Sequence, residues 1–144
     1  MRYNGNMMNN TKTYDFEDGA GQVLAHQHSN GGGWVADSTR VVDSAFVGPN
    51  AKVYGNAWVF DHAKVLDNAR VFGNAVVCDN AVVFGNAEVD GNATVYDNAS
   101  VYGNAHVYGT ALVYGYASVC GDAQVYGNAV ADGSSLGSTN SIGE

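Results

Sequence analysis

Residues 51–62 read Ala51-Lys52-Val53-Tyr54-Gly55-Asn56-Ala57-Trp58-Val59-Phe60-Asp61-His62, two passes of one six-residue unit. Valine holds every sixth position from Val35 to Val125, and alanine every sixth position from Ala45 to Ala129, two residues ahead of the valine series. A fixed short period marks stacked supersecondary units. In an extended segment residues two apart share a face, so Ala51 and Val53 point one way while Lys52 and Tyr54 point the other. The Gly-Asn or Asp-Asn pair that follows suits a tight turn, because these residues tolerate positive φ at low cost. Each hexad is therefore a short strand plus a corner. One such strand cannot bury its small apolar face, but stacked coils bury valine on valine and alanine on alanine. A helix is excluded, since a period of six matches no multiple of the helical repeat and glycine recurs too often.

The turn residues also set the number of strands per coil. Glycine opens the turn at Gly55, Gly73, Gly91, Gly109 and Gly127, and aspartate at Asp43, Asp61, Asp79 and Asp97, both series spaced by eighteen. Two or four hexads per coil would scramble these columns, whereas three preserve them. The expected fold is all-β: a single-stranded triangular solenoid with 18 residues per coil. The array at 33–134 makes five to six coils, roughly 27 Å of axis at about 4.8 Å per coil. Residues 1–32 form an N-terminal capping segment and 135–144 a flexible C-terminal tail. The tail reading rests on the scarcity of apolar side chains after Asn128.

These residues resemble the left-handed β-helix of hexapeptide-repeat proteins, which place Leu, Ile or Val at one inward position and a small residue at the other. The left hand is implied by that resemblance, since the period alone does not set it; a right-handed solenoid such as a bactofilin-type polymer is the alternative. The array, with its lead-in Asn30-Gly31-Gly32-Gly33-Trp34-Val35-Ala36-Asp37, also looks like arrays in phage and prophage proteins. In hexapeptide acyltransferases the resemblance implies a trimer, an inter-subunit site, a catalytic histidine and a loop interrupting the coils. No insertion interrupts 33–134, which weighs against that activity.

Composition fits one domain of 144 residues with room for a single core. A formal charge of −8 disfavours nucleic acid, which asks for a basic footprint. All six basic residues lie at or before Arg70, so the C-terminal half carries the negative potential. No apolar run approaches the roughly 20 residues of a membrane span, and no charged leader precedes one, which points to a cytoplasmic or virion-associated protein. Cys78 and Cys120 are 42 residues apart, two coils plus one strand, which sets them on different faces beyond disulfide reach and leaves free thiols.

Chemistry has few places to sit. His106 is the candidate general base of an acyltransferase, with Glu88 one coil below as its nearest carboxylate; an ordinary exposed histidine is the simpler account. A zinc site of three histidines is excluded, because His62 and His106 lie on different faces more than two coils apart. His26 and His28 form an H-x-H pair that would chelate a metal with Asp15, Glu17 or Asp18. Against it stands a cap covering the raw strand edges, with Tyr14, Phe16, Val23, Leu24 and Trp34 as plugs. The column Asp43, Asp61, Asp79 and Asp97 stacks like charges that Ca²⁺ would relieve, unless each carboxylate serves its own turn amides. No other cofactor is expected.

The outward positions distinguish three faces. The first carries Lys52, Tyr54, Arg70, Phe72, His106, Tyr108 and Tyr126, a candidate small-molecule or glycan surface, unless its rings merely stabilise the stack. The second carries Trp58, Phe60, Val76, Tyr96, Leu112 and Tyr114 and has almost no charge, an apolar strip of the kind that marks an interface. Symmetry and the family likeness together imply a parallel homotrimer burying it. The leading expectation is a non-enzymatic trimeric scaffold or binding module; an acyltransferase and a protein sequestering a small anionic ligand at Lys52 and Arg70 are the alternatives.

Overall fold

A computed structural model describes residues 12–133, 135–136 and 141–143. It is all-β, with strands stacked in parallel and about 18 residues between neighbours, a solenoid of about five turns. Three strands, β1 (Thr13–Asp15), β2 (Gln22–Gln27) and β3 (Trp34–Ala36), precede a series of two-residue strands running from Arg40–Val41 to Ser141–Ile142. The strands fall into three sheets of nine, six and six. Lys52, Arg70, Glu88 and His106 are successive partners in the first. Trp58, Val76, Thr94 and Leu112 align in the second. In the third, Lys64 and Ser100 flank Val82.

This register follows from what fits inside. Every repeat valine from Val47 to Val125 and every repeat alanine from Ala45 to Ala123 is at most 1% exposed, in one continuous core. Burying a valine fully is worth about 1.5 kcal/mol or more, and here the gain recurs at each hexad. A slip of one residue would exchange the inward and outward sets. Coils are joined by amide-to-carbonyl bonds, as from Trp58 N–H to the Ala75 carbonyl at 3.0 Å and from Phe60 N–H to Val77 at 3.1 Å. The corner asparagines extend the ladder, with Asn56 N–H donating to the Gly73 carbonyl at 2.8 Å.

From Gly55 to Gly127 each corner holds one residue in the left-handed region, whereas the earlier corners at Asp43 and Pro49 do not. Gly91, with φ of +66°, shows how tight the stacking is: a Cβ there would stand 2.8 Å from the Gly109 nitrogen. Asp61, Asp67, Asp79 and Asp97 adopt the same conformation, at φ of 57–60°.

The N-terminal segment does two separate things. β1 and β2 form an antiparallel hairpin, and β2 runs antiparallel to β3, which joins the first sheet beside Lys52–Val53. The hairpin folds Phe16, 1% exposed, onto the outside of that sheet, where it clusters with Tyr14, Val23, Trp34, Tyr54 and Phe72. Residues 28–33 close the end of the prism. Val47 N–H donates to the Asn30 carbonyl, Gly33 N–H to the Val47 carbonyl (both 3.0 Å), and the buried His28 sets Nε2 2.9 Å from the Ala45 carbonyl. Of the five expected plugs, Tyr14, Phe16, Val23 and Trp34 thus pack on the outside of the first sheet and not over the strand edges at the end, and Leu24 is 52% exposed, because its neighbours in β2 turn inward in its place.

At the other end, Val130–Ala131 continue the second sheet. Within the span read from sequence as a tail, Ser135–Leu136 and Ser141–Ile142 pair with the third and first sheets, and Ile142 packs on the core. No helix among the described residues is long and apolar enough to cross a membrane.

Replacing Gly91 by alanine adds the left-handed penalty of roughly 1–2 kcal/mol to a contact that forces the backbone of the next coil to shift, without the carboxylate-to-amide bond that accompanies the Cβ at the aspartate corners. Urea unfolding should show a loss of about 2 kcal/mol or more, whereas Asn92→Ala at the same corner should cost less.

Candidate functional site

The first face divides into a covered half and an open half. Tyr54, a candidate ligand-binding residue from sequence, is 4% exposed beneath the hairpin, stacked between Phe16 (4.8 Å, 17°) and Phe72 (4.8 Å, 1°). It cannot meet a ligand there; burial raises its phenol pKa, with the neighbouring Arg70 opposing. Farther along, Tyr108 stacks on Tyr126 at 5.3 Å and 12°. Rings stacked along the axis use their faces on one another, so this column offers hydroxyls and edges rather than open platforms for a sugar. Lys52 and Arg70 occupy consecutive rows on the covered side.

His106 has a different partner from the one its column predicts. Its Nε2 lies 2.5 Å from Asp90 Oδ1, while Glu88 Oε1 is 3.9 Å away. The physical reason is space: Asp90 takes a slot that an aromatic ring fills at Phe72 and Tyr108, and the imidazole leans diagonally into the room left over. The His106 ring also lies 4.3 Å from that of Tyr108. The Asp90 hydrogen bond raises the His106 pKa, against the burial that lowers it and with a smaller push from Glu88. An imidazolium held protonated to higher pH suits an ion pair between coils better than proton abstraction at neutral pH.

The aspartate corner performs a structural task. Asp61 Oδ2 accepts from Asp79 N–H at 3.3 Å, Asp79 Oδ2 from Asp97 N–H at 3.0 Å, and Asp97 Oδ2 from Gly115 N–H at 3.1 Å. Asp67, on the next corner, does the same for Gly85 at 3.0 Å. Each carboxylate thus serves the amide of the following coil and not its own turn. The cause is the positive φ, which aims Cβ along the axis at the next coil's nitrogen. Asp43 heads the column but stands outside this ladder; its carbonyl receives the Asn30 side chain at 3.3 Å.

A shallow groove runs along the corner, lined by Asp61, His62, Asp79, Asn80, Asp97 and Asn98. Cys78 adjoins it: among the described residues, Asp61, Cys78 and Asp79 form the one group of three metal-ligating side chains, with ligand atoms within 4.8 Å of one another. Sequence reasoning placed Cys78 on a face and Asp79 on a corner and so separated neighbours in the chain. Burial and then the three aspartates push the Cys78 thiol up to about 11, so it stays protonated. His26 and His28 do not converge. His26 Nδ1 meets Asp37 Oδ1 at 2.6 Å in solvent, whereas His28 is a buried piece of the end closure. Cys78 and Cys120 are free thiols on different sheets.

The second face is the least polar. Trp58 and Val130 remain 46% and 47% exposed, and the Arg40 guanidinium lies 5.3 Å above the Trp58 ring. Arg40, Val42, Trp58 and Phe60 line a shallow pocket at its N-terminal end. Tyr96 and Tyr114 stack at 5.0 Å farther along. Of the six residues read from sequence as an interface, Trp58, Val76 and Leu112 lie in the strands of this sheet and Phe60, Tyr96 and Tyr114 directly follow them, in rows set by the coil repeat. No family model, curated protein or solved structure matches the chain.

Asp79→Ala should lower stability by about 1–3 kcal/mol, since it orphans the Asp97 amide and leaves a side chain poorly suited to positive φ. Asp79→Asn, which retains an acceptor and tolerates that conformation, should lose less than half as much in urea melts run with EDTA. The His106 pair carries a pH signature. Its folded pKa is raised above the unfolded value of about 6.5, so its stabilisation is fully present below that pH and fades as pH climbs through the folded value. Stability measured from pH 5.5 to 8.5 should therefore fall more steeply in the native protein than in Asp90→Asn.

Proposed function

We propose that the protein is a non-enzymatic β-solenoid scaffold or binding module of the hexapeptide-repeat kind, left-handed, that assembles with copies of itself through its second face. The observation that carries this is the strip from Trp58 to Val130, whose outward residues include exposed large apolar side chains and no charge between its two end rows. Solvated monomers seldom leave so continuous an apolar patch open. The first face supports no equivalent site, because Phe16 covers its N-terminal half and its rings spend their faces on one another. The likeness of the array and its lead-in to phage and prophage proteins supports a virion or prophage setting.

One observation favours an enzyme as the second reading. Asp90 orients the His106 imidazole in a half-exposed position, and an inter-subunit acyltransferase would use such a pair as base and orienter. Binding of acetyl-CoA by equilibrium dialysis, abolished in His106→Ala, would establish that reading over the scaffold.

For the scaffold itself, Leu112→Glu places a carboxylate in the middle of the strip. It should weaken self-association by at least about thirtyfold, as expected for an unpaired charge buried in an interface. Sedimentation should show a smaller species with an unchanged circular dichroism spectrum. A native protein that sediments as a monomer over the same concentrations overturns the proposal.

A further inference from the structure

Charge on the second face sits only at its two ends. Its outward positions form six rows, from Arg40 and Val42 at the N-terminal end to Val130 and Asp132 at the C-terminal end, and everything between is uncharged. The guanidinium lies over Trp58 and in no ion pair among the described residues, and Asp132 is likewise exposed and unpaired there.

We infer that this face pairs with the same face of a second copy running antiparallel, so that the row of Arg40 in each copy faces the row of Asp132 in the other, with the long guanidinium reaching diagonally to a carboxylate two residues along the strand. The inference rests on the self-assembly proposed above and adds its partner geometry. A two-fold axis lying across the strip maps the first row onto the sixth, the second onto the fifth and the third onto the fourth. Arg40 then stands opposite Val130 and Asp132 opposite Val42, so each end row brings one positive and one negative charge together diagonally, twice per pair as the two-fold symmetry of an isologous interface dictates. The bulky Trp58 and Phe60 row faces the Leu112 and Tyr114 row, large apolar against apolar. A parallel assembly at equal height, such as the trimer implied by family likeness, instead brings Arg40 beside Arg40 and Asp132 beside Asp132. Like charges so placed oppose association.

One feature of the antiparallel pair is unfavourable: it sets Asp79 of one copy near Asp97 of the other along the shared corner. These carboxylates lie on the rim, where water and salt screen them, and each already holds one oxygen on a backbone amide, Asp79 on that of Asp97 and Asp97 on that of Gly115. Six rows at about 4.8 Å give a strip about 25–30 Å long, which puts the pair at the low end of specific interfaces, on the order of 1,000 Å².

The test is sedimentation velocity of the full chain at roughly 10–200 μM, with reductant to keep Cys78 and Cys120 from bridging copies. Native protein, Arg40→Asp, Asp132→Lys and the double variant are compared. The native chain should form a dimer. Each single variant makes two repulsive contacts per dimer and should weaken it about tenfold or more, and the double variant should restore it. An assembly indifferent to the single substitutions, or one of trimer mass, overturns the antiparallel pair while leaving self-assembly standing. A native monomer removes self-assembly itself. Because both sites are exposed, all four proteins should give the same circular dichroism spectrum, and their thermal melts should coincide at concentrations low enough for every one to be monomeric, which separates lost association from lost folding.

Discussion

The interior of this solenoid holds one valine and one alanine per hexad, and every other feature depends on that narrowness. A core only this wide is filled without cavities when each coil lies directly over the last, so that valine meets valine along the whole axis. Tight packing penalises both gaps and excess volume. Superposition of coils then fixes the register of all three sheets and carries each outward position into a straight column. The columns of aromatic rings, of aspartates and of charge are consequences of the core and would dissolve if its period slipped.

The corners translate this constraint into backbone terms. A strand of two residues must turn sharply before the next begins, and from Gly55 to Gly127 one residue per corner accepts a left-handed conformation. Glycine meets the demand by having no Cβ to collide with the coil above. Aspartate meets it differently: its Cβ points at that coil, and its carboxylate caps the amide found there. The like charges at Asp61, Asp79 and Asp97 are thereby each given a donor, which makes the corner a structural ladder in its own right. The same corner brings the Cys78 thiol beside two carboxylates, whose negative charge helps keep it protonated.

With the core assigned to packing and the corners to turning, the faces are what remains for recognition, and they are unequal. The first is occupied along half its length by the chain's own hairpin, with Phe16 completing a stack that continues through Tyr54 and Phe72. The end of the prism is closed by His28, Asn30 and the glycines that follow, where backbone passes too close for side chains: a Cβ at Gly31 would lie 2.1 Å from the Val47 oxygen. The second face combines its most exposed apolar side chains, Val42, Trp58 and Val130, with an absence of internal cover.

The amino-acid sequence by itself determined the three-sided winding, the inward and outward sets and the composition of each face. The reason is that a strict period repeats one local decision many times, and stacking needs no information beyond it. Sequence could not place the segment before Val35, which has no period: that the hairpin would lie across Tyr54, and that His28 would be buried at the end while His26 stayed in solvent, came only with the tertiary structure. Nor could it choose Asp90 over Glu88 for His106, or the next coil's amide over the local turn for each aspartate. Those outcomes turn on side-chain direction, on which slot lacks a ring and on the sign of φ at a corner, and such quantities exist only once the coils are stacked in three dimensions.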